Sequence, residues 1–157
     1  MTGRPNPKKQ RQSAATPQAK APPRSKTSTS PTISQAVLAA LTLQDQGTSL
    51  DAALSQALKN VAALTPSERR QVVQDIYAVN RLRMRLAWHL TQEKSRVTPH
   101  HLFLAWAAFE ARVPPKGGRY SDADRALMQA VAARTLHDPA IPLAASVECP
   151  PAFEHHL

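Results

Sequence analysis

One cysteine, four glycines and no strand-like pattern remove most enzymatic options from this chain before any motif is sought. A lone Cys149 excludes an internal disulfide and any site built on several cysteines, and it fits a reducing compartment. The glycines are Gly3, Gly47, Gly117 and Gly118, and none follows a strand. The Gly-rich cradles that hold nucleotide phosphates, dinucleotides or S-adenosylmethionine are therefore missing. Long apolar runs are missing too. The longest, Leu102 to Phe109, falls far short of the ~20 residues that span a bilayer, and the amino terminus lacks the apolar core of a signal peptide. A cytoplasmic protein with no membrane partner is expected. No stretch alternates apolar and polar residues, and β-branched residues are sparse, which predicts an all-α fold. The six histidines lack metal-ligand spacing: His100 and His101 are adjacent, and there is no HExxH. No metal site, no cofactor and no catalytic residue are expected in this chain, and Cys149 reads as packing.

Acidic residues are absent from the first thirty positions, which hold Arg4, Lys8, Lys9, Arg11, Lys20, Arg24 and Lys26. Such a proline-rich, polar segment buries too little apolar surface to offset its ordering entropy. Residues 1–30 are expected to form a disordered basic tail carrying +7 of the formal +9. The remaining charge is uneven. Arg81 to Arg119 carries eight basic and two acidic residues, whereas Tyr120 to Leu157 carries two basic and five acidic. A basic middle beside a basic tail points to a polyanionic partner, nucleic acid above all.

What is present is helical. Ile33, Val37, Ala40 and Leu41 share one face, and Gly47 ends that helix. Thr48 or Ser49 opens a second, with Leu50, Leu54, Leu58 and Val61 in a stripe and Ala53 and Ala57 beside it for close packing. Thr65 to Leu90 forms a third, longer stretch. Thr65 and Glu68 have capping-box spacing, and Pro66 suits a helix start. At 100° per residue, Val72, Ile76, Val79, Leu86 and Leu90 fall on one side, and Arg70, Tyr77, Arg81, Arg85 and Trp88 on the other. The stretch is either continuous or bent near Asn80, because an unbroken helix would aim Arg83 into the apolar face, where an unpaired charge is costly. Thr98-Pro99 opens a fourth helix, with Leu102, Trp106, Phe109 and Val113 in its stripe. PPKGGRY, from Pro114 to Tyr120, reads as a loop. Ser121 caps a fifth, with Asp122 and Asp124 in its first turn and Ala123, Leu127, Ala130 and Val131 in its stripe. Prolines after His137 permit only short turns. The expected architecture is an all-α bundle of about five main helices.

The cationic and aromatic side of the long stretch is the leading site candidate. Arginine offers a fork of donors to phosphates, and unpaired bases stack on aromatic faces. Arg69, Arg70, Arg81 and Arg85 are the candidate RNA contacts, with Tyr77 and Trp88 as stacking candidates. The same pattern fits a central helix with Tyr77 and Trp88 in the core and the arginines paired to Asp75 or Glu93. Lys116 and Arg119, in the glycine-containing loop, are further candidates for phosphate contact.

The order of helices, and above all TPSERRQVVQDIYAVNRLRMRLAWHL, resembles the NusB-like RNA-binding domain. Within that family the chain is most similar to the domain that begins the RsmB/NOP-type ribosomal RNA cytosine-5 methyltransferases. Glu68-Arg69 matches the charged entry, Tyr77-Ala78-Val79-Asn80-Arg81 the aromatic-Gly-Val-x-Arg segment, and Leu86-Ala87-Trp88 the run ending near Leu-x-Trp. Ala78 stands where the family has Gly, and the Arg-rich opening and carboxy-terminal pattern of the antitermination factors are absent. The resemblance, over about Pro31 to Leu157, implies a NusB-like domain at 31–148, ribosomal RNA as partner and Arg81 as a contact residue. It also implies an S-adenosylmethionine-dependent methyltransferase domain in a longer or split protein, with residues 149–157 as the start of the linker to it. The expected function is the substrate-recognition module of such an enzyme. The alternative is a helical protein-interaction or antitermination-type module with no methyltransferase connection.

Overall fold

Helix starts and stops follow local chemistry. The computed structural model describes residues 31–61, 63–112 and 120–148. The tail at 1–30, the loop bearing Lys116 and Arg119, and the segment 149–157 lie outside the described residues. Among those described are seven helices and no strand: α1 (Pro31–Asp45), α2 (Leu50–Asn60), α3 (Pro66–Arg81), α4 (Arg83–Gln92), α5 (Pro99–Phe109), α6 (Asp122–Ala132) and the short α7 (Leu143–Ser146). None is long and apolar enough to cross a membrane.

Thr65 accepts the Glu68 N–H at 3.3 Å while Glu68 accepts the Thr65 N–H at 2.9 Å, which completes the capping box of α3. Ser121 and Asp124 make a second box at α6, and Thr98 caps α5 ahead of Pro99. Gly47 follows α1 with φ +92°, a left-handed turn that costs glycine little.

The long third stretch is two helices. Leu82, at φ −109° and ψ 16°, is both the end of α3 and the start of α4. The bundle therefore has six main helices where five were expected. The break frees Arg83 from the core, and its guanidinium meets the Asp45 carboxylate at 2.8 Å on the surface.

The most enclosed element is α5. Leu102, Phe103, Leu104, Ala105, Ala107 and Ala108 are all buried, so nearly its whole circumference is apolar contact rather than a single stripe. It lies against α1, α3, α4 and α6. Helices α1 and α2 pack against each other as a hairpin, and α2 seats Ala53 and Ala57 deepest while Leu50, Leu54 and Leu58 are only partly covered. Small side chains let the two backbones approach, which leaves the longer ones at the margin. With α5 taking the centre, α3 buries Val72, Ile76 and Val79 and turns its other side outward.

Candidate nucleic-acid interface

Four side chains at helical spacing, Arg70, Gln74, Tyr77 and Arg81, run along the outside of α3, and all are exposed. Arg70 and Arg81 are eleven residues apart, about 16 Å at helical rise. Neither Arg70 nor Arg81 makes an ion pair among the described residues. Tyr77 is 46% exposed, and its hydroxyl donates to Asp51 of α2 at 3.4 Å. Arg69 points elsewhere: it is half-buried and its Nε donates to the Leu64 carbonyl at 3.3 Å, tying the preceding turn to the helix. The arrangement presents a cation at each end of a stripe with an amide and an aromatic ring between, and no carboxylate on the stripe itself.

The two remaining candidates of the long stretch are placed differently from the helical-wheel expectation. Arg85 is buried. Its Nη1 lies 2.9 Å from His137 Nδ1, its Nη2 donates to the Ser146 carbonyl, and the Glu148 carboxylate lies 3.8 Å from its Nε. Glu148 also accepts the backbone N–H groups of Met84 and Arg85 at 2.8 and 3.2 Å, so it caps α4. The physical reason is coverage: α7 packs on α4 and converts what would be an outer face into an inner one. Trp88 is half-buried, edge-on to His89 at a centroid distance of 4.9 Å. It stands on α4, off the α3 stripe.

Beside the stripe opens a cleft of about 990 Å³ lined by Tyr77, Arg81, Arg85, Trp106, Glu110 and His137, among others. It brings three of the sequence-predicted residues together, Tyr77, Arg81 and Arg85, although Arg85 is already engaged. Trp106 enters the site unanticipated, since its helical spacing marked it only as core. Its orientation is set from below. Asp75, fully buried, accepts Trp106 Nε1 at 3.1 Å, Gln71 Nε2 at 3.0 Å and both terminal nitrogens of Arg112 at 2.6 and 2.7 Å. Asp75 sits three residues after Val72 and four before Val79, at the edge of the apolar face. That position is the one sequence signal that could have revealed a buried carboxylate. A second hollow of about 420 Å³, lined by Glu93, His101 and Asp124, carries two carboxylates and suits a polyanion poorly. Those carboxylates are taken by Arg134 at 2.6 Å and His100 at 3.0 Å.

No group of His, Cys, Asp and Glu among the described residues is arranged to hold a metal ion. Burial lowers the pKa of His89, with the Leu136 backbone partly offsetting it and the nearby Arg134 adding to it. Burial also lowers that of His101, helped by the neighbouring His100. Burial alone would raise the Asp124 carboxyl, but the Ser121 N–H, His100 and the Ser121 hydroxyl outweigh it and bring it below the usual range. Histidines with depressed folded-state pKa values stabilise the fold fully above the unfolded value of about 6.5 and lose that contribution as pH falls through the folded value. The melting temperature is expected to drop between pH 7.5 and 5, and His89→Leu to flatten part of that drop. A His89→Leu profile parallel to the wild type would show that His89 contributes none of it. Asp124 acts in the same direction at lower pH, starting near 4.

Compared with protein-family models, curated proteins and solved structures, the chain matches none.

Proposed function

We propose that this chain is an RNA-binding helical module that docks on phosphates through the outer face of α3. The observation that carries the proposal is the carboxylate-free stripe of Arg70, Gln74, Tyr77 and Arg81, whose two arginines have no ion-pair partner among the described residues. An unpaired surface guanidinium keeps its donor fork available, and an exposed ring between two such groups suits a single-stranded or partly unpaired RNA. Lys116 and Arg119 join the proposal on charge placement alone. Arg69 and Arg85 leave it, being committed to the Leu64 carbonyl and to Glu148 and His137. The resemblance of Thr65 to Leu90 to NusB-like domains supports ribosomal RNA as the partner. It also supports a role as the recognition module of a cytosine-5 methyltransferase whose catalytic domain is a separate unit.

The test is binding of a labelled small-subunit ribosomal RNA fragment across a salt series. Arg70→Ala combined with Arg81→Ala is expected to weaken binding by about tenfold or more at low salt. It should also reduce the slope of log affinity against log salt by about two, one for each lost phosphate contact. Circular dichroism checks the fold of the variant, and a chain lacking residues 1–30 separates the contribution of the tail. Unchanged affinity in the folded double variant would remove the α3 face from the proposal.

One observation favours a second reading, a protein-interaction module. Leu143 and Val147, one turn apart on and just after α7, are 60% and 53% exposed. Binding through that pair would be insensitive to salt, and a Leu143→Ser variant would weaken it while leaving RNA affinity unchanged.

A further inference from the structure

We propose that the cleft beside α3 receives one unstacked guanine base of the bound strand, an inference that rests on the RNA-binding reading above. Trp106 supplies the platform. Its Nε1 is anchored 3.1 Å from Asp75, and Asp75 is itself held by both terminal nitrogens of Arg112, so the indole enters the cleft in one fixed orientation. A fixed ring stacks a base without first paying rotamer entropy. One helical turn further along the same helix direction, Glu110 lines the same cleft. Its carboxylate is 46% exposed, and its only ion pair among the described residues is a loose one, 3.8 Å from an Arg112 nitrogen that Asp75 already occupies at 2.7 Å. Two acceptor oxygens are therefore left beside the aromatic ring. Glu148, the other carboxylate of the cleft, is taken by the α4 backbone. Arg81 stands at the same cleft with no ion pair among the described residues, placed for the adjoining phosphate.

The chemistry selects the base. A carboxylate offers two acceptors side by side. Guanine alone presents two adjacent donors on its pairing edge, N1–H and the 2-amino group. Adenine and cytosine each set a ring acceptor beside their amino group, and uracil flanks its single N–H with two carbonyl oxygens, which the carboxylate repels. Glu110 would thus reward guanine and penalise uracil, discriminating in both directions. The volume, about 990 Å³, lies at the upper end of the range typical of small-molecule pockets, and admits a nucleotide with its sugar.

The experiment compares a nine-nucleotide oligouridylate with the same strand bearing one central guanosine, using the full chain. The wild type is expected to bind the guanosine strand about tenfold more tightly, the scale of one bidentate contact. Glu110→Gln, a surface change that removes one acceptor oxygen and the charge that repels uracil, is expected to abolish the preference, with the guanosine strand bound less tightly and oligouridylate at least as tightly as by the wild type. In a Trp88→Phe protein Trp106 is the sole tryptophan, and the guanosine strand should quench its emission more than oligouridylate does. Equal affinities in the wild type, or a preference that survives Glu110→Gln, would overturn the inference. If both strands bind equally and the Arg70→Ala, Arg81→Ala variant releases both, the α3 face binds RNA and only the base site fails. If neither strand nor the ribosomal fragment binds, both proposals fall.

Discussion

Arg112→Met is expected to cost about 3–5 kcal/mol of folding stability, the loss that follows when one partner of a buried ion pair is removed. Asp75 is fully buried and the Arg112 side chain is 9% exposed, with both guanidinium contacts under 2.8 Å. Without Arg112 the carboxylate keeps, among the described residues, only the Trp106 and Gln71 donors, too few to replace the water lost on burial. The comparison that isolates the mechanism is the pair Asp75→Leu with Arg112→Met. Removing both charges restores much of the loss, because apolar replacement of a whole buried pair is often close to neutral. Urea unfolding of the three proteins measures this. A single variant within 1 kcal/mol of the wild type, on the scale of an exposed pair, would mean the carboxylate reaches water in solution. The pair also joins α3 to the end of α5. Ala111, at φ +53°, ends α5 in a left-handed turn and returns Arg112 toward the bundle, where its N–H meets the Ala107 carbonyl at 2.9 Å.

The second large effect is expected at Glu148. Its carboxylate serves two functions: it caps the first turn of α4 and balances the buried Arg85. Glu148→Ala removes charge-assisted hydrogen bonds worth ~1.5–3 kcal/mol each at most and leaves a buried guanidinium without its carboxylate. The total is expected at about 2–4 kcal/mol, since the two losses share one group and do not add. Glu148→Gln retains an acceptor for the backbone and should lose roughly half as much. Hydrogen exchange gives the local readout, with the Met84 and Arg85 amides exchanging faster in both variants. Protection unchanged at these two amides would show that α4 is capped by something other than Glu148.

What could be read from the sequence was local. Thr65 with Glu68, Thr98 with Pro99, and Ser121 each marked a helix start because a cap and its helix are neighbours in the chain. The suspicion of a bend near Asn80 rested on Arg83, and the break at Leu82 sits beside it for that reason. What could not be read was pairing across distance. The wheel set Arg85 among the outward groups, yet Glu148 and His137, 63 and 52 positions away, enclose it. The alternative reading, a central helix, paired the arginines of the long stretch with Asp75 or Glu93. Those two acids are taken by Arg112 and Arg134, 37 and 41 positions distant. Periodicity reports which side of a helix is apolar but not which later segment will lie over the polar side. For the same reason the α3 stripe was legible, because nothing among the described residues covers Arg70, Tyr77 or Arg81, whereas the cleft beside it was not.

The cap on α4 also has a consequence in time. Glu148 lies 64 residues after Met84, and ribosomes add roughly 5–20 residues per second. While the chain is being made, the first turn of α4 therefore waits roughly 3–13 s after Met84 is added before the carboxylate that completes it exists. Over that interval Arg85 has no counter-charge and the side later covered by α7 stays open to solvent. The newborn bundle is sealed from its carboxyl end, and a pause in translation before position 148 would prolong the life of the unsealed form.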